Sequence, residues 1–319
     1  MIARRHGGLR IIDGGFMASV QDAGRSNVGH LGVSPSGYAD WASARAANRL
    51  VGNPESAPLI ETTMTGIAIG FDCAATVALG GADASLRIGG RAGRPWSAQH
   101  ASAGESLVVG SPPTGLRCYL AVAGGIHVPP VFGSASTDLT ARFGGLAGRR
   151  LTAGDGLEID QNPFAPEKFT GNAQPLRDHI FKRPVELRIL PGPSGSRLRD
   201  ADMRAIVAAP YRVCLQSNRQ GLRLEGAILM DGAGTDVVSA GLCAGCVQVL
   251  GDGLPVVLLA EHQTTGGYAV AACVISSDIP RAAQLRPGDE LRFVWTTQSE
   301  AARALIGVQS LIRLAGGGG

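Results

Sequence analysis

The sequence predicts a mainly β protein with a few short helices, arranged as two related halves. Glycine supplies 46 of the 319 residues, about twice its usual share. The glycines follow no triplet period, so they indicate many tight turns between short strands rather than a collagen helix. Short apolar segments bounded by Gly, Pro or Asp recur along the chain, as expected for strands. Similar segments also occur in the same order in both parts of the chain.

Ten segments combine Val, Ile, Leu or aromatic residues with flanking turn residues, and they are predicted to be strands. They are residues 9–12, 76–79, 106–109, 118–123, 157–159, 185–190, 247–250, 256–260, 269–275 and 290–295. A helix is predicted over residues 38–50, because Gly52 and Pro54 form a stop signal directly after it. A second helix is predicted over residues 299–314, with Ser299 as its cap.

The internal similarity predicts the domain organisation. Four pairs of segments match in order: 9–14 with 187–192, 119–123 with 268–272, 136–139 with 277–279, and 151–157 with 285–291. Chance similarity of short strand–turn units is the alternative explanation. Duplication predicts a first β half over residues 1–175, with the helix 38–50. It predicts a second β half over residues 176–319, with the C-terminal helix, joined through the polar stretch 160–184.

Composition excludes several classes of function. The formal net charge is +3 and aromatic residues make up 5%, which argues against a nucleic-acid or membrane partner. No apolar run approaches the length of a membrane span, so we expect a cytoplasmic protein. The two lysines, Lys168 and Lys182, lie in neither a P-loop nor a biotin-carrying pattern.

Familiar catalytic and metal motifs are absent from the sequence. Cys243 and Cys246 form a single C-x-x-C without the second pair that a zinc site needs, so we expect no metal and no disulfide. The six histidines form no H-E-x-x-H pattern, and neither G-x-G-x-x-G nor G-x-S-x-G occurs.

Three polar segments remain as candidates for a ligand site. They are residues 21–25 (QDAGR), 217–221 (SNRQG) and 261–268 (EHQTTGGY). Each segment alone is explained equally well by a turn held by side chain–backbone hydrogen bonds. Three of them in one β framework favour a polar ligand site. Asp40 and Asn48 lie eight residues apart on one face of the first helix, where they serve either a site or the helix ends.

An ordered set of segments carries a resemblance to a known family. In the first half the segments are QDAGR 21–25, GYAD 37–40, AN 47–48, VGN 51–53, ETT 61–63, YLAVAGGI 119–126, GSASTD 133–138 and GD 154–155; in the second they are SNR 217–219, Gln248, QTTGGY 263–268 and PGD 287–289. With this set the chain resembles the biotin-dependent carboxyltransferase-like proteins. That family is also called allophanate hydrolase subunit 2 or KipA, and it includes the C subunits of bacterial ATP-dependent 5-oxoprolinases. Around Arg219 and before Gln263 the sequence departs from the family pattern, which leaves the substrate open.

The resemblance implies two cyclophilin-like β-barrel halves and a hydrolase subunit that opens 5-oxoproline to glutamate with ATP, active only with partner subunits. It implies catalytic roles for Asp22, Arg25, Asp40 and Arg219. It implies substrate binding by Gln21, Asn48, Glu61, Gln248, Gln263, Thr264 and Tyr268. Arginines suit charge developing on phosphoryl and carbonyl oxygens, and amides suit the cyclic amide of the substrate.

The same resemblance implies partners and leaves two other functions open. The expected partners are a smaller homologous subunit, KipI or allophanate hydrolase subunit 1-like, and a LamB/YcsF-like subunit; ATP is bound by a partner subunit or shared with one. The first alternative is the carboxyltransferase component of a urea-carboxylase or allophanate-hydrolase-like system, which would use biotin carried by another chain. The second alternative is a non-enzymatic regulator that antagonises a kinase inhibitor.

Overall fold

The computed structural model describes residues 6–160, 171–193, 199–229 and 236–316. The mainly β class is confirmed, since twenty-one strands and five α-helices lie in these ranges. Lys168 and the first part of the expected linker fall outside the described residues. In the part of the chain that the structure covers, no helix has both the length and the apolar character to cross a membrane.

The described residues form two compact units that are not simply consecutive. The first unit takes residues from within Met1–Arg25, Ser36–Ile180 and Gln309–Gly319, and the second takes those within Ser26–Pro35 and Phe181–Val308. The main change of unit, between Ile180 and Phe181, lies near the boundary expected at 175/176. The end of the C-terminal helix, from Gln309 onward, belongs to the first unit. The expected division of the chain at 175/176 stays a prediction.

The strands of the first unit form two sheets. The strands are β1 His6–Asp13, β2 Met17–Gln21, β3 Leu59–Thr63, β4 Ala68–Phe71, β5 Ala75–Gly81, β6 Leu86–Ile88, β7 Arg91–Ala92, β8 Ala98–Ala101, β9 Ser106–Val109, β10 Arg117–Val122, β11 Ile126–His127 and β12 Gly156–Asp160. A seven-stranded sheet has the order β11-β12-β1-β4-β9-β6-β7, and a five-stranded sheet has the order β2-β3-β10-β5-β8. β10, buried along its whole length, is the central strand of the smaller sheet.

The strands of the second unit close into a barrel. They are β13 Val185–Pro191, β14 Tyr211–Val213, β15 Gly221–Glu225, β16 Asp236–Gly241, β17 Cys246–Val249, β18 Pro255–Leu258, β19 Thr265–Tyr268, β20 Val270–Val274 and β21 Glu290–Trp295. The barrel order is β13-β20-β17-β18-β15-β14-β21, and β16 pairs with β19 as a separate ribbon. Alternation along the strands sends Leu222, Val247 and Phe293 into the barrel core. The residues that alternate with these core residues along each strand therefore point outward. The candidate site described below lies on this outer face.

Five helices accompany the sheets: α1 Trp41–Leu50, α2 Gln174–Phe181, α3 Asp200–Ala208, α4 Ile279–Ala283 and α5 Gln298–Ala315. Two of them, α1 and α5, are the predicted helices. α1 begins three residues later than expected because Asp40 is its N-cap and accepts a hydrogen bond from Ser43 N. Ser299 lies inside α5, so its expected role as cap is wrong. Thr297 takes that role: its Oγ1 accepts from Glu300 N, and its own N donates to Glu300 Oε2.

One of the four sequence repeats is confirmed by hydrogen bonding. In each unit a Gly-Asp turn docks on one residue of an antiparallel neighbour strand through a pair of backbone bonds. The first pair is Gly154 N to Ile11 O and Ile11 N to Asp155 O; the second is Gly288 N to Val213 O and Val213 N to Asp289 O. Each turn aspartate also accepts from the backbone N of the residue three positions earlier. The turns 151–157 and 285–291 are therefore the same motif in both units.

Two other predicted repeats are wrong. β1 runs antiparallel to β12, whereas β13 runs parallel to β21, so residues 9–14 and 187–192 are not equivalent. Tyr119 lies in the central strand β10, but Tyr268 lies in the β16–β19 ribbon. Short apolar strand segments resemble one another in sequence merely because all of them are buried. The Gly-Asp turn is a more specific signal, because its residues must fit a particular backbone conformation.

Candidate functional site

A polar network in the first unit contains the six first-half residues that the sequence singles out. The segment Gly37–Asp40, which precedes α1 and contains one of them, contacts two others and Tyr119 through successive backbone N–H groups. Tyr38 N donates to Asp22 O, Ala39 N donates to Glu61 Oε2, and Asp40 N donates to the Tyr119 hydroxyl. Gly37 has φ +89°, and a Cβ there would lie 2.9 Å from Gly24 Cα, so only glycine permits this close approach. The structure therefore brings the QDAGR and GYAD motifs together.

Asp22 is the acceptor at the centre of the 133–138 loop. Its Oδ1 accepts from the Ser134 and Ser136 hydroxyls, each at 2.6 Å, and from Gly24 N at 2.8 Å. Its Oδ2 accepts from Ala135 N at 2.7 Å. Four donors satisfy a buried carboxylate, which would otherwise be costly to keep charged away from water. These contacts give Asp22 a structural role in holding the loop, and its catalytic role stays a prediction.

Arg25 holds the same loop from the other side. Its guanidinium is buried, with Nε donating to Val131 O at 3.1 Å and Nη2 donating to Ser136 O at 2.5 Å. The guanidinium also lies 4.5 Å from the centre of the Phe143 ring, a cation–π contact. The planar fork of arginine suits this arrangement and lysine does not. The expected role of Arg25 toward a phosphoryl group stays a prediction.

Three more predicted site residues form polar contacts around α1: Asp40, Asn48 and Glu61. Asp40 caps the helix with both carboxylate oxygens on Ser43, at 2.9 and 2.6 Å. Asn48 donates to Ala57 O at 2.8 Å and to the Tyr38 hydroxyl at 3.2 Å. Glu61 lies 3.6 Å from Arg117 Nε, and both side chains are almost completely buried. Burial, reinforced by neighbouring carboxylates, raises the pKa values of Tyr38 and Tyr119, so both phenols stay protonated and neutral.

Gln21 has one hydrogen-bonding atom left over. Its Nε2 donates to Ser19 Oγ and to Thr137 O, each at 3.0 Å. Its Oε1 is buried and has no hydrogen-bond partner among the described residues. Buried acceptors are normally satisfied, so this carboxamide oxygen is the atom in the first-unit network best suited to a ligand contact.

The second unit has a pocket on the outside of its barrel. The cavity volume is about 280 Å³. The lining residues are Gln216, Asn218, Gln220, Gly221, Arg223, Gln248, Leu250, Val256, Leu258, Gln263 and Tyr268. Three of the predicted substrate-binding residues, Gln248, Gln263 and Tyr268, are therefore brought together here. Five of the lining side chains are carboxamides, one is a cation, and none is a carboxylate.

Strand register explains why these side chains share the pocket. β15, β18 and β17 are neighbours, and Val256 of β18 is the register partner of both Arg223 and Gln248. The three residues therefore form one row across the outer face, while Leu222 and Val257 on either side point into the core. Adjacent strands are about 4.8 Å apart, so the Cα atoms of Arg223 and Gln248 are roughly 10 Å apart.

The amide groups of the pocket are linked to one another. Gln263 Nε2 donates to Gln248 Oε1 at 2.9 Å, and Gln248 Nε2 lies 3.5 Å from Tyr268 O. Gln248 is buried and fixed by these contacts, whereas Gln263 and Tyr268 are exposed at the rim. Among the described residues no hydrogen bond is made by Gln263 Oε1 or the Tyr268 hydroxyl, and both residues are exposed. Thr264 follows Gln263 in the same loop, where its backbone O accepts from Leu242 N; its expected role in binding stays a prediction.

Arg219 lies beneath the turn that supplies Asn218 and Gln220. Its Nε donates to Glu261 Oε1 at 2.7 Å, and both side chains are more than nine-tenths buried. Glu261 N in turn donates to Arg219 O. This ion pair ties the 217–221 turn to the loop that carries Gln263, which gives Arg219 a positioning role; its expected catalytic role stays a prediction.

Arg223 is the charged pocket residue that the sequence analysis missed. Arg223 lies in the five-residue strand β15 (GLRLE), which the sequence analysis did not predict. The available signal was the alternation Leu222, Arg223, Leu224, which turns the arginine outward from a core strand.

Comparison with known proteins identifies the class. The sequence matches the family described as "Carboxyltransferase domain, subdomain A and B" over residues 31–295. The chain belongs to this carboxyltransferase family, and the resemblance given by its motifs is confirmed.

Individual relatives are similar over nearly the whole chain. The C subunit of the 5-oxoprolinase of Escherichia coli is 39% identical over 298 residues, which cover 93% of this chain and 94% of that protein. The crystal structure of TTHA0988 superposes with a TM-score of 0.80 at 36% identity, covering 92% of this chain but only 57% of that longer chain. The Kluyveromyces lactis urea carboxylase structure gives a TM-score of 0.87 at 26% identity, covering 96% of this chain and 29% of that one.

Proposed function

We propose that this chain is the substrate-binding subunit of an ATP-dependent 5-oxoprolinase, and that its carboxamide pocket holds 5-oxoproline. Support comes from the strong similarity to the C subunit of a bacterial 5-oxoprolinase, a protein that the chain covers almost from end to end. The name of that relative also supports a complex with other subunits.

The observation that carries the proposal is the combination of groups in the pocket. Gln248 and Gln263 offer carboxamide donors and acceptors, which match the N–H and C=O of a cyclic amide. Arg223 forms no salt bridge with any carboxylate among the described residues, and the pocket lining contains no acid. 5-Oxoproline is a lactam that carries one carboxylate, so it meets both requirements at once. Urea, which has amides but no carboxylate, leaves the arginine unused.

The size of the pocket also suits this substrate. A volume of about 280 Å³ is just below the range of sites for drug-sized ligands, and 5-oxoproline has a single five-membered ring. Arg223 and Gln248 lie two strands apart on the outer face. The long side chain of Arg223 bridges this separation. The arginine therefore binds the carboxylate at one end of 5-oxoproline, while Gln248 binds the lactam at the other end.

The chemistry requires activation of the lactam. Its carbonyl oxygen attacks the γ-phosphorus of ATP and ADP leaves. A first water adds to the activated carbon and the ring C–N bond breaks, with the nitrogen taking a proton, which leaves an acyl phosphate. A second water hydrolyses this acyl phosphate, and phosphate and glutamate are released. The pocket does not fit a triphosphate, because its lining has one cationic side chain. We therefore assign the nucleotide to a partner subunit, such as the LamB/YcsF-like one, or to a surface shared with it. The pocket supplies binding and orientation of the lactam.

The carboxyltransferase hypothesis is the second candidate, and the urea carboxylase similarity supports it. A carboxamide-lined pocket suits the ureido ring of biotin as well as a lactam, since both present an N–H beside a C=O. Under this hypothesis Gln248 and Gln263 would hold the ureido group of a carboxybiotin carried by another chain.

The test is an activity assay on the complex purified with its natural partners. We expect ATP-dependent release of glutamate from 5-oxoproline. Gln248→Leu should reduce kcat/KM at least tenfold, since it leaves Gln263 Nε2 without its acceptor and removes a substrate contact. Gln298→Leu, at the exposed first residue of α5, is the matched control and should match wild type. Biotin-dependent carboxylation of urea without glutamate release would overturn the proposal in favour of the second candidate.

A further inference from the structure

A pair of cysteines lies beside the pocket but takes no part in the proposed function. Cys243 and Cys246 have Sγ atoms 3.6 Å apart, and the structure holds both as free thiols. Cys246 is the first residue of β17, two positions before Gln248. We infer that these two cysteines form a reversible thiol–disulfide pair and that the pair is a site of oxidation by hydroperoxides.

The backbone already has the geometry that a disulfide needs. Residues 243–246 form a tight turn, closed by Cys246 N donating to Cys243 O at 3.2 Å. Gly245 has φ +92° at the third position of this turn, as a type II turn requires. The ends of a β-turn have Cα atoms closer than about 7 Å, which overlaps the range of disulfide bridges. The two Sγ atoms, 3.6 Å apart, must approach to about 2.05 Å to form the bond.

The surroundings of the two cysteines differ, and the difference indicates which one attacks the peroxide and which one closes the disulfide. Cys246 is 4% exposed, packs against Leu258 and Val270, and lies opposite Cys273 in the β17–β20 pair. Thiol donors from Cys243 and Cys273 and the nearby His262 stabilise its thiolate and lower the pKa of Cys246. Cys243 is exposed, and its pKa is raised by the same interaction. Cys246 is therefore the attacking thiolate, and Cys243 is the resolving thiol that an external reductant can reach.

The reaction proceeds in two balanced steps. The Cys246 thiolate attacks one oxygen of hydrogen peroxide; an S–O bond forms, the O–O bond breaks, and the product is a sulfenic acid and hydroxide, which takes up the proton lost by the Cys246 thiol to become water. Cys243 then attacks the sulfenic sulfur; the S–S bond forms, the S–O bond breaks, and water carries away the thiol proton. Two thiols are oxidised by two electrons, and one peroxide is reduced to two waters.

The experiment uses the reduced full-length chain treated with hydrogen peroxide. Remaining thiols are alkylated, and peptides are measured by mass spectrometry before and after dithiothreitol. We expect Cys243 and Cys246 to become protected together, in one peptide lighter by two hydrogens, while the other four thiols of the six still alkylate. Dithiothreitol should restore all six.

Two variants sharpen the result. Cys243→Ser should form no disulfide and should leave a sulfenic acid at Cys246 that dimedone labels. Cys214→Ser, a partly exposed thiol outside the pair, should behave as wild type. Alkylation of Cys243 and Cys246 at the wild-type rate after peroxide would overturn the inference. A disulfide from Cys246 to Cys273, or faster oxidation of Cys73 or Cys214, would also overturn it.

Discussion

Replacing Asp22 by asparagine tests how the first-unit network is held together. Asp22 accepts four hydrogen bonds, three on Oδ1 and one on Oδ2. Asparagine can keep its oxygen at the position that faces the three donors. Its NH₂ group then faces Ala135 N–H, so one donor loses its acceptor and meets another donor instead.

The expected cost follows from these contacts. A hydrogen bond to a charged group contributes about 1.5–3 kcal/mol, and an unsatisfied buried donor costs about 1–3 kcal/mol. Loss of the Ala135 bond and weakening of the other three by loss of charge lead us to expect about 3 kcal/mol of destabilisation for Asp22→Asn. The loop 133–138 should loosen with it, because Ser134 and Ser136 are bound to the same carboxylate.

Urea unfolding followed by tryptophan fluorescence is the assay. Two of the three tryptophans, Trp41 and Trp96, lie in the first unit. Asp13→Asn is the matched control, because Asp13 is exposed and its Oδ1 accepts one bond, from Gly15 N. The control should lose less than about 1 kcal/mol. If Asp22→Asn unfolds at the same urea concentration as the control, the carboxylate does not hold the loop and the reasoning is wrong.

Three further predictions concern stability. The hydrogen bonds of Arg149 lower the pKa of Asp155 from 3.8 to about 2, so the stabilising contribution of this carboxylate is present above pH 3.8 and is lost as the pH falls through 2. Asp155→Asn should therefore reduce the change in the free energy of unfolding between those pH values by about 1 kcal/mol. The effect is this small because Arg149 is half exposed and solvent screens the pair. Gly245→Ala should destabilise by more than about 2 kcal/mol because its Cβ would lie 2.7 Å from a backbone oxygen of β20, whereas Gly288→Ala, with similar φ and open space, should show only the smaller φ cost in the same thermal melts. Thr297→Val should cost about 1 kcal/mol by removing the α5 cap, measured by urea unfolding and by loss of amide protection in the first turn of α5.

The sequence predicted elements where local signals were strong. Residues 106–109 and 290–295 match β9 and β21 from end to end, because each is a short segment rich in apolar residues and bounded by turn residues. Short strands such as β15 were not predicted, because a five-residue segment with an arginine in the middle resembles a turn. α2 and α3 were missed because their few apolar positions give no clear helical period.

The candidate site could be predicted in part. The amide-rich segment before Tyr268 and the isolated Gln248 were identified from residue type and family motifs, and the barrel places them in one pocket. Sequence alone could not pair β15 with β18, a register between residues more than thirty positions apart. That pairing is what puts Arg223 in the same row as Gln248 and supplies the cation for the carboxylate of the substrate.

The most direct test of the central claim is calorimetric binding of two lactams to the full chain. One is 5-oxoproline, and the other is 2-pyrrolidinone, the same ring without the carboxylate. We expect wild type to bind 5-oxoproline at least tenfold more tightly, a difference of about 1.4 kcal/mol. Arg223→Gln should abolish that preference, while Arg292→Gln, at an exposed position of β21 outside the pocket, should preserve it. Equal affinity of wild type for both lactams, or an unchanged preference in Arg223→Gln, would contradict the claim that this pocket recognises a carboxylate-bearing cyclic amide.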